Sequence, residues 1–185
     1  MPSIDQRRTA AVLAVGALSW LGGVALLQAG VDLDTAASVA PRSGFGLGGL
    51  LIGIGAFFGL GRNLPSPTAR VGAAMSGVTL LLTGLGLAIG TYIRFLLGYF
   101  GLLFLHPISL LLLGFGLLRS GGLARWARAV PLVMLAVAAL TYGFHALFPQ
   151  VWDPPDALLF TVVGVGWLLL GLAAIRGEET PVPAV

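Results

Sequence analysis

The sequence predicts an all-α, polytopic transmembrane bundle of six helices. Of its 185 residues, 57% are hydrophobic and only 9% are charged, whereas a soluble domain carries about 25% charged residues. The charged residues also sit in short clusters, separated by apolar stretches far longer than a soluble core helix needs. Lipid is therefore the expected solvent of this chain, and a water-soluble fold of this size is excluded.

Six apolar stretches are each long enough to cross a bilayer core, which takes about 20 helical residues. The third and fourth form one apolar run that is too long for a single crossing, so we expect a tight turn at Thr91-Tyr92-Ile93-Arg94. Residues 1–9 precede the predicted transmembrane domain, 10–176, and the tail 177–185 is expected to be disordered. The predicted spans are 10–30, 44–61, 71–91, 96–118, 128–148 and 156–175.

The arginines predict an orientation, because short loops rich in Arg stay in the cytoplasm. Only Arg42 and Arg94 fall at one end of the predicted spans, and the other eight fall at the opposite end. We therefore expect both termini in the cytoplasm, in a plasma membrane of the prokaryotic type. The eight are Arg7, Arg8, Arg62, Arg70, Arg119, Arg125, Arg128 and Arg176.

A repeat is one interpretation of the arginine spacing. Arg62, Arg119 and Arg176 close the second, fourth and sixth spans at equal intervals of 57 residues. This register is compatible with three tandem helical hairpins. Evenly spaced spans made of Leu and Gly would also produce it by chance, which is the favoured alternative.

Glycine predicts where the helices approach closely. The second span carries small-xxx-small pairs at 44/48, 49/53 and 55/59, and close backbone approach through small residues is a main route to helix association in lipid. If these faces point inward, the chain packs on itself, which is the expectation. If they point outward, a second copy or another membrane protein is implied.

Ionisable residues inside a span are candidate functional residues, because they are costly to place in lipid. His106 lies near the middle of the fourth span and is followed by Pro107, which leaves the carbonyl of Leu103 without its helical donor. Ser109 is close by in sequence. This polar interruption predicts either a structural kink or a contact to a solute or a proton.

A second group of polar residues lies near the outer end of the fifth span. His145 shares a helix face with Thr141 and Tyr142. The group predicts a polar vestibule open to the outside, although ordinary solvation at an interface is the simpler alternative. The full candidate ligand-binding set is His106, Tyr142, His145, Tyr99 and Arg94.

Enzymatic chemistry, cofactors and metals are not expected. The chain has no Cys, no phosphate-loop or His-Glu-x-x-His motif, and no dense acidic cluster. The predicted depths of His106 and His145 differ by roughly 10 Å, which argues against a shared haem iron. No basic run is interleaved with aromatics, so no nucleic-acid partner is expected.

The segment Ala74-Met75-Ser76-Gly77 resembles the Gly-x-Ser-Gly signature of rhomboid-type intramembrane proteases, which also have six helices and use a Ser and His dyad. The first glycine of that signature is replaced by Ala74. Ser76 lies near the cytoplasmic end of its span and His145 near the outer end, whereas a nucleophile and its base must be within hydrogen-bond reach. A Ser76–His145 dyad is therefore not expected.

Two functions are compatible with these observations. The first is a bundle that binds or passes a small or amphiphilic solute in its outer half. The alternative is an accessory subunit whose glycine faces pack against a membrane protein partner or a second copy. Apart from Asp156, the first residue of the sixth span, no Asp or Glu lies inside a predicted span, which argues against a proton- or cation-coupled pump and favours a passive or structural role.

Overall fold

A computed structural model describes residues 4–31, 38–89, 101–120, 123–147 and 156–176. These residues form six long helices, and each helix is apolar enough to cross a membrane. The prediction of an all-α bundle of six helices is confirmed. The helices are α1 (Ile4–Gln28), α2 (Val39–Asn63), α3 (Pro67–Ile89), α4 (Gly101–Ser120), α5 (Val130–Leu147) and α6 (Asp156–Arg176).

Helix α2 begins at Val39 rather than 44, and α3 begins at Pro67 rather than 71. The largest difference from the predicted spans is at α1, which begins at Ile4 rather than near residue 10. Asp5 lies in its first turn, where a carboxylate complements the helix dipole. Gln6, Arg7 and Arg8 are good helix formers, so the helix continues past the apolar stretch. The predicted turn at 91–94 and the tail 177–185 lie outside the described residues.

The helices are arranged in the order of the chain. Each helix packs against the next, and α6 packs along α1. Because consecutive helices alternate in direction, α1, α3 and α5 begin where α2, α4 and α6 end. All eight clustered arginines lie at that end, which we call the arginine end; the other is the far end.

The glycine pairs of α2 point into the bundle. A Cβ on Gly48 would lie 2.7 Å from the backbone nitrogen of Trp20 in α1, and a Cβ on Gly49 would lie 2.5 Å from the carbonyl oxygen of Leu80 in α3. The 44/48 and 55/59 pairs face α1, and the 49/53 pair faces α3. The glycine faces are therefore occupied within one chain.

An aromatic cluster joins α1, α2 and α6. The Trp20 ring packs edge-on against Phe45 and Phe160, with centroids 5.1 and 5.9 Å away. Its indole Nε1 donates to the carbonyl oxygen of Phe160 at 2.9 Å. Since α1 packs extensively on both α2 and α6, the hairpins are not separate packing units, and the tandem-hairpin repeat stays a prediction.

Candidate functional site

A buried polar cluster lies between α3 and α4. The Ser76 hydroxyl of α3 donates to Ser109 Oγ of α4 at 2.7 Å, and Ser109 donates to the backbone carbonyl oxygen of His106 at 2.7 Å. Nδ1 of His106 lies 3.4 Å from Ser109 Oγ. Both serines are completely buried, and His106 keeps 3% of its surface exposed. We call these three residues the serine–histidine cluster.

The contacts within the cluster involve only one of the two ring nitrogens of His106. A serine hydroxyl has one hydrogen and two lone pairs, so Ser109 uses its hydrogen on the His106 carbonyl and accepts from Ser76. Its second lone pair can accept from His106 Nδ1 when that nitrogen carries the ring hydrogen. The other ring nitrogen, Nε2, is buried and has no hydrogen-bond partner among the described residues. In either tautomer, Nε2 can form one further hydrogen bond.

The cluster lies at the middle of the bundle. Ser109 precedes Arg119 by ten residues, which is roughly 15 Å of helix at 1.5 Å per residue. The hydrocarbon core of a bilayer is about 30 Å thick. The cluster is therefore about halfway between the two ends of the bundle, where unpaired polar groups are most costly.

A π-helical turn explains how α4 accommodates its proline. The first five residues of α4, Gly101–Leu105, form a π turn that ends directly before His106 and Pro107. Pro107 has no N–H, so Leu103 loses its α-helical donor. In a π turn the carbonyl of residue i pairs with the N–H of residue i+5, which offers Ile108 as the donor to Leu103. The π turn thus places His106 at the junction of two helical geometries.

Two threonines extend the polar face of α3 from the cluster toward the far end. A Cβ on Gly101 of α4 would lie 3.0 Å from Thr83 Oγ1 and 3.5 Å from Thr79 Cγ2, and both threonines are buried. Ser76, Thr79 and Thr83 have the i, i+3, i+7 spacing of one helix face. We call these three residues, together with the His106 and Ser109 side chains, the polar seam.

The predicted outer vestibule is not tested by the structure. Tyr142 is half-buried and packs against the core, and the Thr141 hydroxyl donates to the carbonyl oxygen of Val137 at 2.8 Å. His145 is on α5, but its side chain lies outside the described part of the chain, as do Arg94 and Tyr99. The structure places His106 of the predicted set in a defined polar cluster.

The cluster geometry does not supply a serine nucleophile. Ser76 donates to a hydroxyl rather than to an imidazole, and Ser109 donates to a backbone carbonyl. A serine is activated when its hydrogen is directed to a base. No group of three metal-ligating His, Cys, Asp or Glu side chains occurs in the described ranges.

Sequence reasoning missed the partnership of Ser76 with Ser109. It weighed Ser76 only against His145, whereas Ser76 joins His106 through a hydroxyl on the facing helix. The signal available in the sequence was the spacing of Ser76, Thr79 and Thr83, which marks one polar face on an apolar helix. The face it meets depends on the rotation of α4.

No family model, no curated protein and no solved structure matches the chain. Its class therefore rests on the fold and the site. Six helices with the length and apolar composition of membrane spans fit a multi-pass integral membrane protein. The polar seam is the candidate functional site, because its side chains are polar and buried in the middle of an apolar bundle.

Proposed function

We propose that the protein binds or passes a small, uncharged polar solute, and that the polar seam between α3 and α4 is the contact surface at mid-depth. The observation that carries this proposal is His106 Nε2, which is buried without a hydrogen-bond partner in the described part of the chain. A buried polar atom without a partner costs about 1–3 kcal/mol. A solute hydroxyl or amide at this position would offset that cost.

The chemistry of the seam favours an uncharged solute. Its groups are four hydroxyls and one imidazole, and no Asp or Glu lies in the middle of any predicted span. Hydroxyl and imidazole groups both donate and accept, as do alcohols, amides and water. Ion-coupled carriers commonly place a carboxylate at this depth, so a passive mechanism is the better match.

The far end is the proposed entrance. Thr79 and Thr83 lead from the cluster toward that end, and the outer contacts Tyr142, His145, Tyr99 and Arg94 would be the first residues that a solute meets. The arginine asymmetry supports an orientation with both termini in the cytoplasm. The far end would then face outward.

The test is solute flux into proteoliposomes, measured by stopped-flow light scattering with glycerol and urea as probes. The wild type should be faster than protein-free liposomes. His106→Phe should lower the increment about tenfold, because the ring removes one hydrogen bond and fills the seam. Ile108→Phe is the matched control, since Ile108 is 52% exposed on the same helix and should keep the wild-type flux.

The two outcomes that matter are distinct. A wild-type flux equal to that of protein-free liposomes for both probes overturns the proposal for uncharged polar solutes. Equal flux in wild type and His106→Phe overturns the role of the seam. His106→Gln, which keeps a donor and an acceptor, should retain more flux than His106→Phe if hydrogen bonding is the basis.

The glycine faces that suggested an accessory subunit are not available to a partner protein. The 44/48 and 49/53 glycine faces are occupied by α1 and α3 of the same chain. A partner protein would have to use another surface, and we assign none.

A further inference from the structure

A notch opens between α1 and α2 at the arginine end, with a volume of about 300 Å³. Its rim carries the polar side chains Asp5, Arg8, Thr9, Arg62 and Asn63. The two guanidinium groups come from the two facing helices. Such a rim offers several hydrogen-bond donors to one anionic group.

The part of the notch farther from the arginine end is apolar. Val12 of α1 and Ile54 and Phe58 of α2 line it, and Ile54 and Phe58 are 40% and 50% exposed. Val12 is seven residues beyond Asp5, roughly 10 Å along the helix. The notch therefore passes from a charged rim to an apolar wall over the depth of a membrane–water interface.

A π-helical segment of α2, Gly55–Leu60, builds the notch wall. The N–H of Gly61 donates to the carbonyl of Ala56, five residues earlier, and the extra residue rotates everything that follows by about 100° relative to an uninterrupted α-helix. Single π turns inside α-helices are frequent at functional sites. Here the rotation sets the direction in which Arg62 and Asn63 leave the helix.

Two contacts hold these side chains in place. The Arg62 guanidinium lies over the Phe58 ring, 5.3 Å from its centroid, a distance at which cation–π attraction operates. Asn63 Nδ2 donates to the carbonyl oxygen of Gly59 at 2.8 Å. A Cβ on Gly59 would collide with Thr9, so glycine here lets α1 and α2 meet at the side of the notch.

We propose that this notch binds the phosphodiester group of a membrane phospholipid, with an acyl chain along Val12, Ile54 and Phe58. Arginine is the preferred partner of phosphate, because its planar fork donates two parallel hydrogen bonds. Arg8 and Arg62 with Asp5 give the rim one net positive charge. That balance matches the single negative charge of a phosphodiester better than a phosphomonoester dianion.

The site is separate from the proposed solute path. The notch lies between α1 and α2 at the arginine end, whereas the polar seam lies between α3 and α4 at mid-depth. Neither proposal depends on the other, so loss of lipid binding and loss of flux are independent results.

The test is binding of dioleoyl-phosphatidylglycerol to the full chain in a non-ionic detergent, read as retained lipid by native mass spectrometry. Arg8→Gln and Arg62→Gln should each weaken binding about tenfold, the loss of one charge-assisted hydrogen-bond pair. Arg7→Gln is the matched control. It removes the same charge from the adjacent position, which is exposed and does not line the notch, and should change affinity by less than about twofold.

A second variant separates a lipid from a free phosphate. Val12→Trp fills the apolar part and leaves the charges intact, so it should weaken phosphatidylglycerol and leave inorganic phosphate unaffected. If inorganic phosphate competes as well as the lipid and Val12→Trp has no effect, the lipid assignment is overturned in favour of a phosphate-only site. If Arg7→Gln weakens binding as much as Arg62→Gln, the notch is overturned and the attraction is diffuse.

Discussion

Replacing Gly49 by Ala is the most direct test of the packing between α2 and α3. A Cβ at this position would lie 2.5 Å from the carbonyl oxygen of Leu80 and 2.8 Å from Cα of Gly84. Both atoms belong to the backbone of α3, so no side-chain rotation can relieve the contact. The helices would have to separate by about 1 Å before the methyl group reaches an ordinary van der Waals distance.

The expected effect follows from two opposing terms. Overpacking a well-packed interface costs about 1–3 kcal/mol. Against this, Ala is favoured over Gly inside a helix by about 0.5–1 kcal/mol. We therefore expect Gly49→Ala to lower the free energy of unfolding by about 1–2 kcal/mol. Gly22→Ala is the matched control, because a Cβ on Gly22 meets nothing within 4 Å, and it should be neutral or slightly stabilising.

The assay is unfolding in mixed micelles with increasing sodium dodecyl sulfate, followed by the fluorescence of the buried tryptophans Trp20 and Trp167. The loss should be the same at every protein concentration, since the contact is within one chain. Equal stability of Gly49→Ala and Gly22→Ala would refute the packing argument. A loss that grows on dilution would instead show that this face joins two chains.

Three further results are expected. Ser109→Ala should lower the free energy of unfolding by about 1 kcal/mol more than Ser76→Ala in the same assay. Ser109→Ala leaves the Ser76 hydroxyl without its acceptor, whereas Ser76→Ala leaves the Ser109 bond to the His106 carbonyl intact. The combined variant Ser76→Ala, His106→Leu, Ser109→Ala should be about as stable as wild type, because both partners of the Ser76–Ser109 and Ser109–His106 side-chain contacts are removed, yet should lower solute flux at least as much as His106→Phe. In this cysteine-free chain, Thr68→Cys should resist a membrane-impermeant maleimide in intact cells and Ala29→Cys should react; the reverse pattern contradicts the predicted orientation.

Most of the fold could be predicted from the sequence, because span length and apolar composition are local properties. Lipid allows no unpaired backbone inside it, so an apolar stretch of about 20 residues has few alternatives to a helix. The glycine pairs of α2 were also visible as a pattern. Their partners were not, because the 44/48 and 49/53 pairs point in different directions around α2, and the sequence does not show which helix packs on each side.

The polar seam was only half predictable. His106 and Pro107 mark an interruption in the fourth span, and the freed carbonyl of Leu103 is a reason for a π turn at that place. The π segment Gly55–Leu60 has no proline, and its sequence gives no comparable reason. Ser76 could be assigned to the seam only after the packing of α3 on α4 was known, since it is 33 residues from Ser109.

An unpartnered buried nitrogen is not by itself a mark of function in this bundle. Trp167 Nε1 is also buried without a hydrogen-bond partner in the described ranges, so the fold tolerates such an atom. His106 differs in its surroundings: its ring faces Ser109, which is bonded to Ser76 of another helix. A hydrogen-bonded pair of serines from two helices beside an imidazole with one unpartnered nitrogen is costly to bury without a benefit. The combined variant distinguishes a folding role from a functional one. If the seam stabilises the fold, the variant should have a lower free energy of unfolding than wild type. If the seam serves a solute, the variant should keep its stability and lose solute flux.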